Sequence, residues 1–246
     1  MCGRYATTRG AAELSAMFEA FDETGERLRA DYNVAPTDPV PIVRVSERAG
    51  ASVLSVARWG LLPPWATDTR AGARMINARA ETVATTRAYA PSFARRRCLV
   101  PADGWYEWVR RDGVRQPYFM TPRDGSVLAF AGLWTAWRGT GTPMLTCSVV
   151  TTAALGDLAS VHDRMPLLLP RDRWAEWLAD GAEPDRLLAP PSEEWLAGLE
   201  IRPVGRAVGD VRNDGPDLVA PVSVPPLRPI PGQPALPEEP GVTTLF

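Results

Sequence analysis

The order of hydrophobic and polar residues predicts helices near both ends of the chain. Apolar residues from Leu14 to Phe21 recur at helical spacing, so residues 10–21 are expected to form an amphipathic helix. Residues 79–95 also look helical but are interrupted near Pro91, since proline removes a backbone donor inside a helix. Further helices are predicted at 153–160, 171–179 and 192–199.

Short runs rich in β-forming residues occupy the middle of the chain. They are Pro39–Val45, Ser52–Leu61, Cys98–Val100, Trp105–Val109, Pro117–Met120, Val127–Trp137 and Met144–Thr151. Turn signals such as Arg111-Asp112-Gly113 separate them. Central strands with helices before and after predict an α+β fold, with a mixed or antiparallel, barrel-like β core and peripheral helices.

Prolines crowd the last 26 residues, and this change divides the chain. A segment of that composition cannot build a core. We therefore expect a single domain over residues 1–220 and an extended proline-rich tail over 221–246.

The net charge of the chain does not indicate a binding partner. The 246 residues carry a formal net charge of -2. A nucleic acid would therefore have to be held by a local group of arginines rather than by bulk charge. No apolar run approaches the roughly 18 residues that would span a membrane. The first residues do not form a signal peptide. The sequence predicts a soluble, cytoplasmic protein with no membrane partner.

The chain contains no lysine, so all 27 basic residues are arginine. Arginine stays protonated and is not an amine nucleophile. This excludes lysine Schiff-base enzymes, pyridoxal enzymes and the lysine-containing phosphate loop. The one primary amine is the amino terminus of the chain.

Three cysteines, at positions 2, 98 and 147, lack paired spacing, which argues against a disulfide framework. With a single histidine and no Cys-x-x-Cys pair, a zinc site is not expected, and we predict no metal and no cofactor. Cys98 and Cys147 lie in apolar strands and are expected to be buried.

Cys2 is the cysteine with distinctive chemistry. Removal of Met1 would leave it with a free α-amine and a thiol on adjacent carbons. Their ordinary pKa values, near 7.7–8.0 and 8.5, keep both groups partly available as nucleophiles at neutral pH. Such an aminothiol condenses with an aldehyde to an imine, and the thiol then closes a five-membered thiazolidine, helped by proximity. On this evidence alone, the simpler interpretation is that Cys2 is an incidental second residue.

Seven sequence blocks give the chain a family resemblance. They are MCGRY (1–5), YNVAPT (32–37), RWGLLPPW (58–65), NARAET (77–82), RCLVPADGWYEW (97–108), FAGLW (130–134) and HDRMPL (162–167). In this order and spacing they closely resemble the SOS response-associated peptidase (SRAP) family, also called abasic-site processing proteins. The resemblance covers roughly residues 2–220.

The resemblance implies a DNA-repair protein that recognises abasic sites in single-stranded DNA, notably at stalled replication forks. It would crosslink to them through a thiazolidine and shield the lesion. A monomer associated with the nucleoid at damaged forks is the matching expectation. Regulation by DNA damage is inferred from the name of the family alone.

The resemblance also assigns four catalytic residues, Cys2, Asn77, Glu107 and His162. Glu107 lies among aromatic residues, so partial desolvation should raise its pKa into the range useful for proton transfer, although it could be a surface residue of an edge strand. His162 could protonate the sugar ring oxygen and favour the open aldehyde, or be a structural residue. Asn77 could position groups by hydrogen bonding, cap the helix starting near residue 79, or do both.

Five residues are predicted to bind DNA. Arg4, Arg79 and Arg164 each lie within two residues of a catalytic candidate, and their guanidinium groups match phosphate oxygens. Trp65 is the aromatic residue expected to be exposed and to stack on a base. Asn33, in the second block, completes the set.

Two other functions stay open at this point. A cysteine-type peptidase that removes its own Met1 could use Cys2 as nucleophile, with His162 and either Glu107 or Asn77 in support. A single-strand binding module without catalysis is the third alternative.

Overall fold

The computed structural model describes residues 3–46, 50–111, 113–139, 143–181 and 183–224. Within these residues the strands are β1 Tyr5–Thr7, β2 Phe21–Asp22, β3 Asp31–Val34, β4 Pro39–Val45, β5 Ser52–Trp59, β6 Asn77–Arg79, β7 Arg97–Ala102, β8 Gly104–Arg111, β9 Val114–Pro122, β10 Leu128–Trp137, β11 Met144–Ala153, β12 Arg164–Pro166 and β13 Leu199–Pro203. The α-helices are α1 Ala11–Met17, α2 Ala80–Val83, α3 Ala90–Arg95, α4 Trp174–Leu178, α5 Pro184–Leu188 and α6 Glu193–Leu196.

Five strands close into a mixed barrel. β4 pairs antiparallel with β5 and β7, and β10 pairs antiparallel with β7 and β11. The barrel closes where β11 runs parallel to β5, with Thr146 opposite Arg58. Beyond the end of β5, β6 also pairs with β11 in the parallel direction. This architecture confirms the predicted α+β class with a barrel-like core.

Both faces of the barrel strands are buried, and alternate residues belong to different clusters. In β7, Cys98 and Val100 pack in the interior cluster, whereas Leu99 packs in the outer one. Phe130 and Ala131 of β10 divide in the same way. Since side chains alternate along a strand, burial of both faces requires nearly continuous apolar sequence.

Gly132 makes room inside the barrel. A Cβ atom there would lie 2.8 Å from the Cys98 sulfur and 2.8 Å from a Val100 methyl carbon. The neighbouring strand therefore fills the space that a side chain at 132 would need.

A second, antiparallel sheet covers the interior of the barrel. Its strand order is β13-β9-β8-β1-β3. Tyr5 of β1 meets Trp59 and Phe130 edge-on, at centroid distances of 5.1 and 5.8 Å, and Trp105 of β8 meets Phe130 at 6.1 Å. Because aromatic edges favour aromatic faces, these contacts fix how the sheet sits on the barrel.

Helices and short helical turns cover the remaining apolar surface. Leu14 of α1, Val83 of α2 and Trp177 of α4 pack against the outer barrel cluster. On the far side of the second sheet, Val208 and Leu218 come from the 3-10 turns Arg206–Gly209 and Pro216–Val219. The C-terminal part of the domain therefore packs behind β8 and β9.

The predicted strands are confirmed, with shifts of a few residues at their ends. β4 has the predicted bounds, and β5 ends at Trp59 rather than Leu61. Six strands of two to five residues were not predicted: β1, β2, β3, β6, β12 and β13. They are too short for a period of two to stand out in sequence.

The helix predictions need correction. The segment 10–21 is helical only to Met17, and Phe21 starts β2 after Glu19 adopts a positive φ of 51°. In 79–95 the break precedes Pro91, which lies in the first turn of α3, where a missing N–H costs little.

The three later helix predictions are also partly wrong. β11 runs through Ala153, and only a 3-10 turn, Gly156–Ser160, follows it. Segment 171–179 is a 3-10 turn followed by α4. In 192–199 the helix ends at Leu196, and Leu199 starts β13.

The boundary at residue 220 between domain and tail stays a prediction, because the described residues end at 224. Pro221 still bridges Val204, and the Val222 N–H donates to the Pro203 carbonyl at 2.9 Å. Residues 225–246, most of the predicted tail, lie outside the described residues. None of the helices in the described ranges has the length and apolar character to cross a membrane.

Burial makes Cys98 and Cys147 unreactive in the folded protein. Both side chains are fully buried, as predicted, and desolvation raises the pKa of the Cys147 thiol to about 12 and that of Cys98 well above its ordinary value. We expect both to react with dithionitrobenzoate slower by orders of magnitude in the native protein than in denaturant, because the thiolate is the reactive form. Fast titration of both in the native state would contradict this burial.

Candidate active site

A cavity of about 370 Å³ opens where the start of the chain meets β8. Seven residues line it: Gly3, Arg4, Glu107, Trp108, Arg115, His162 and Gly209. We call it the site cavity. It brings together two of the four predicted catalytic residues, Glu107 and His162, with Arg4 of the predicted DNA-binding set.

Strand pairing brings the start of the chain to this cavity. Tyr5 pairs with Trp105, and the Tyr106 N–H donates to the Arg4 carbonyl at 2.9 Å. Residues 3 and 4 therefore run beside β8 at the level of Glu107. Cys2 lies outside the described residues, but the residue bonded to it, Gly3, forms part of the cavity wall.

Glu107 is a buried carboxyl group. It is 4% exposed, and β8 directs it away from Tyr106 and Trp108, whose rings lie together on the other face at 6.4 Å. Desolvation is the main cause that raises its pKa to about 7, and the negative charge of Asp163 contributes further. Both its protonated and ionised forms are therefore populated near neutral pH.

Residues on both faces of β8 reach the site cavity. Glu107 and Trp108 point to opposite sides of the strand, yet both line it. Gly3 and Arg4, which run beside β8, line it as well.

His162 enters the cavity from the turn before β12. Desolvation lowers the pKa of its imidazole below the ordinary value near 6.5. The ring is therefore mainly neutral at pH 7. Its Nδ1 atom accepts the Arg164 backbone N–H at 2.9 Å.

A second contact competes for the same nitrogen. The Asp163 carboxylate lies 2.8 Å from His162 Nδ1, which would suit an Nδ1–H donor instead. The backbone N–H is held in place by the turn, whereas the Asp163 side chain is 86% exposed and free to rotate into water. We therefore assign Nδ1 as the acceptor and Nε2 as the nitrogen that carries the proton.

Arg4 is held from behind by Asn33. Its Nη1 donates to Asn33 Oδ1 at 2.6 Å and to the Val208 carbonyl at 2.8 Å. The Asn33 amide nitrogen donates to the carbonyls of Asp210 and Asn213. Asn33 is buried, so its contacts are those of a residue that orients Arg4. Direct binding of DNA by Asn33 stays a prediction.

Arg164 is engaged by a carboxylate. Its guanidinium group donates to both oxygens of Glu81, at 2.6 and 3.0 Å, and to the Thr151 carbonyl at 2.6 Å. Arg79, at the start of α2, is exposed and carries no such bidentate pair among the described residues. Of these two predicted phosphate ligands, Arg79 is the more accessible.

Asn77 and Trp65 lie outside the cavity wall. Asn77 is in β6, opposite Val149, and its carbonyl accepts the Tyr89 hydroxyl at 3.0 Å. Its alternative reading as a helix cap is wrong, because Arg79 holds the N-cap position of α2. Trp65 is 48% exposed, with the Arg87 guanidinium 4.6 Å from its ring centroid.

Sequence reasoning missed Arg115 as a cavity residue. It lies opposite Arg110 in the β8–β9 hairpin, and its guanidinium lies 5.6 Å from the Trp108 ring, which Arg4 also approaches at 5.8 Å. The turn signal Arg111-Asp112-Gly113, had it been taken as a tight hairpin, would have placed Arg115 opposite Arg110 and so on the Trp108 face, since directly paired residues share a face.

The raised pKa of Glu107 predicts a pH-dependent effect of Glu107→Gln. The folded state holds this proton more tightly than the unfolded state does. Its contribution to stability is therefore present below pH 4.5 and is lost as pH rises through about 7. Glutamine stays neutral, so its advantage in unfolding free energy over wild type should grow by roughly 2 to 3 kcal/mol between pH 5 and 8.

Denaturant unfolding at the two pH values measures this difference. Glu19→Gln is the matched control, since it makes the same substitution at a side chain that is 81% exposed. A constant difference for Glu107→Gln would argue against the raised pKa.

Comparison with known proteins identifies the family of the chain. The family model described as SOS response associated peptidase (SRAP) matches residues 1–211. Abasic site processing protein YoaM of Bacillus subtilis (strain 168) is 34% identical, with 89% of this chain and 97% of the relative covered. Abasic site processing protein YedK of Escherichia coli (strain K12) is 31% identical over 90% of this chain and its own full length.

A solved structure supports the fold. The X-ray structure of a Bacteroides thetaiotaomicron protein superimposes with a TM-score of 0.78 at 22% identity, covering 90% of this chain and all of that one. Because the family model matches residues 1–211, the chain belongs to the SOS response associated peptidase family.

Proposed function

We propose that this chain processes abasic sites in single-stranded DNA by forming a covalent thiazolidine through Cys2 after removal of Met1. The observation that carries the proposal is the site cavity, in which Gly3, the neighbour of Cys2, shares a wall with Glu107 and His162. Relatives at 31–34% identity bear the name abasic site processing protein, which supports the same substrate.

The reaction needs proton transfer at two points. The Cys2 amine adds to the aldehyde carbon of the opened sugar, and loss of the hydroxyl as water gives an imine. The thiol then adds across the C=N bond, so sulfur bonds carbon and the proton passes to nitrogen. One water molecule is released overall, and the ring closure is intramolecular.

Glu107 suits both proton transfers. Its protonated form can donate to the departing hydroxyl, and the resulting carboxylate can accept the thiol proton. A pKa of about 7 keeps both forms populated at working pH. Reversal would use the same group in the opposite order.

His162 suits hydrogen bonding better than full proton donation. Its lowered pKa reduces the imidazolium fraction at neutral pH, so less of the protonated ring is present to donate a proton than the sequence suggested. A neutral ring with its proton on Nε2 can donate a hydrogen bond to the sugar ring oxygen and favour the open aldehyde. Asn77, outside the cavity wall, is proposed to act on the substrate from β6.

DNA is proposed to cross the site cavity along its arginines. Arg4 and Arg115 flank Trp108, whose ring offers a surface for a base beside the lesion. Arg79 and Trp65 would extend the contact beyond the cavity. This local group of cations would bind a polyanion despite the net charge of -2.

The family description favours a second activity at the same residues, removal of Met1 by the protein itself. Hydrolysis of the first peptide bond would free the Cys2 amine on which the crosslink depends. To test this, wild type and Glu107→Gln are each incubated with DNA that contains no abasic site, and their intact masses are then measured. Because this DNA cannot be crosslinked, the comparison reports the removal of Met1 alone.

We expect Cys2→Ala to abolish the covalent complex, because alanine lacks the sulfur that closes the ring. Wild type incubated with a single-stranded oligonucleotide carrying one abasic site should give a shifted band on a denaturing gel. The same strand with an intact base is the control. An undiminished band from Cys2→Ala would refute the thiazolidine, and acetylation of the α-amine should abolish the band even when the thiol is free.

Glu107→Gln should slow crosslinking by about 10²- to 10⁴-fold, the range for loss of a general acid–base group. Affinity for the same DNA should stay within a few-fold, since the side chain is buried. Single-turnover rates across pH 5–9 check the assignment: the inflection near pH 7 in wild type should vanish in the variant. An inflection that persists would assign it to another group.

A further inference from the structure

One carboxylate outside the site cavity is bonded to a residue that fixes His162. Glu81 receives two hydrogen bonds from the Arg164 guanidinium, Nη1 to Oε1 at 2.6 Å and Nη2 to Oε2 at 3.0 Å. Arg164 Nη2 also donates to the Thr151 carbonyl of β11 at 2.6 Å. Only 15% of the Arg164 side chain is exposed. The guanidinium is therefore fixed at three points.

The other end of Arg164 is equally constrained. Its backbone N–H donates to His162 Nδ1, and its backbone pairs with Ala153 at the start of β12. The Ala154 N–H donates to the Asp163 carbonyl at 3.0 Å, which closes the turn on β11. The side chain and backbone of one residue thus join α2, β11 and the catalytic imidazole.

This connection decides between two tautomers of His162. An Arg164 N–H on Nδ1 favours the ring with its proton on Nε2, whereas the nearby Asp163 carboxylate favours a proton on Nδ1. The turn and the pairing with β11 set the place of the Arg164 N–H, and the contacts of the Arg164 side chain limit the movement that remains. A movement of a fraction of an ångström would weaken the first contact and leave the second. The ratio of the two tautomers therefore depends on the contacts that hold Arg164.

We propose that Glu81 is a positioning residue for His162, holding Arg164 so that its backbone N–H keeps the imidazole in the Nε2–H tautomer. The effect on crosslinking rests on the proposed function, whereas the effect on the tautomer does not. Glu81 lies in the NARAET block at the start of α2, and the sequence offered no partner for it.

Two simpler roles for Glu81 make different predictions. An exposed ion pair that contributes only to stability would leave the imidazole unchanged when broken. A carboxylate that competes with DNA phosphate for Arg164 would, once neutralised, leave that guanidinium free, so Glu81→Gln would bind DNA more tightly. The three-point contact of Arg164 and its low exposure favour positioning over competition.

The test uses the fact that His162 is the one histidine in the chain. Long-range ¹H–¹⁵N NMR spectra at roughly pH 8, where the imidazole is neutral, report its tautomer without ambiguity. Wild type should show a protonated Nε2 and an unprotonated Nδ1. Glu81→Gln should shift a measurable fraction to the Nδ1–H form, and Glu81→Asp should restore part of the wild-type pattern.

Crosslinking rates at saturating abasic-site DNA complete the test. Glu81→Gln should slow the single-turnover rate by about tenfold, as loss of an orienting partner does, with affinity within twofold of wild type. Glu19→Gln breaks a comparable Glu–Arg pair, with Arg171, and should change neither readout.

Each of these measurements has an outcome that would contradict the proposal. An unchanged tautomer in Glu81→Gln, or tighter DNA binding at an unchanged rate, overturns the positioning role. If wild type itself forms no crosslink, the proposed function fails, and the NMR comparison still judges the link from Glu81 to His162.

Discussion

The pairing of β1 with β8 is the constraint on which the site depends. Tyr5 sits opposite Trp105, and its ring packs against Trp59 and Phe130 of the barrel. Arg4 is held beside β8, because its carbonyl accepts the Tyr106 N–H. Residues 3 and 4, in a part of a domain that is ordinarily mobile, are thereby kept next to the strand that carries Glu107. The same cavity wall also contains the buried carboxyl group of Glu107.

That burial gives the site its chemistry. Desolvation raises the pKa of Glu107 to about 7 and lowers that of His162, so near neutral pH the carboxyl group can hold a proton while the imidazole is mainly neutral. Arg4 in the cavity wall is held by Asn33, whereas Arg164 is paired with the Glu81 carboxylate. Because a side chain so held loses little freedom on binding, Arg4 offers an ordered cationic group in a protein with net negative charge.

The sequence predicted the barrel strands well because their pattern reflects burial on both faces. It failed where structure depends on distant contacts: β1 and β6 are three residues long and exist through pairing with β8 and β11. Helix bounds were too long because apolar spacing continues past Met17, whereas the backbone turns at Glu19. Glu107 and His162 were predicted as site residues from the family blocks, and both line the site cavity. Arg115 was missed because its place in the cavity depends on the register of β8 with β9. Glu81 was missed because its partner, Arg164, lies 83 positions away in the sequence.

Mass spectrometry of the digested covalent complex tests the central claim most directly. The account predicts an N-terminal peptide that begins at Cys2 and carries the sugar remnant, lighter by one water than peptide and DNA fragment together. The thiol of that peptide should resist alkylation, because its sulfur is bonded to the former aldehyde carbon. A remnant attached to any other residue, or to a peptide that retains Met1, would contradict it.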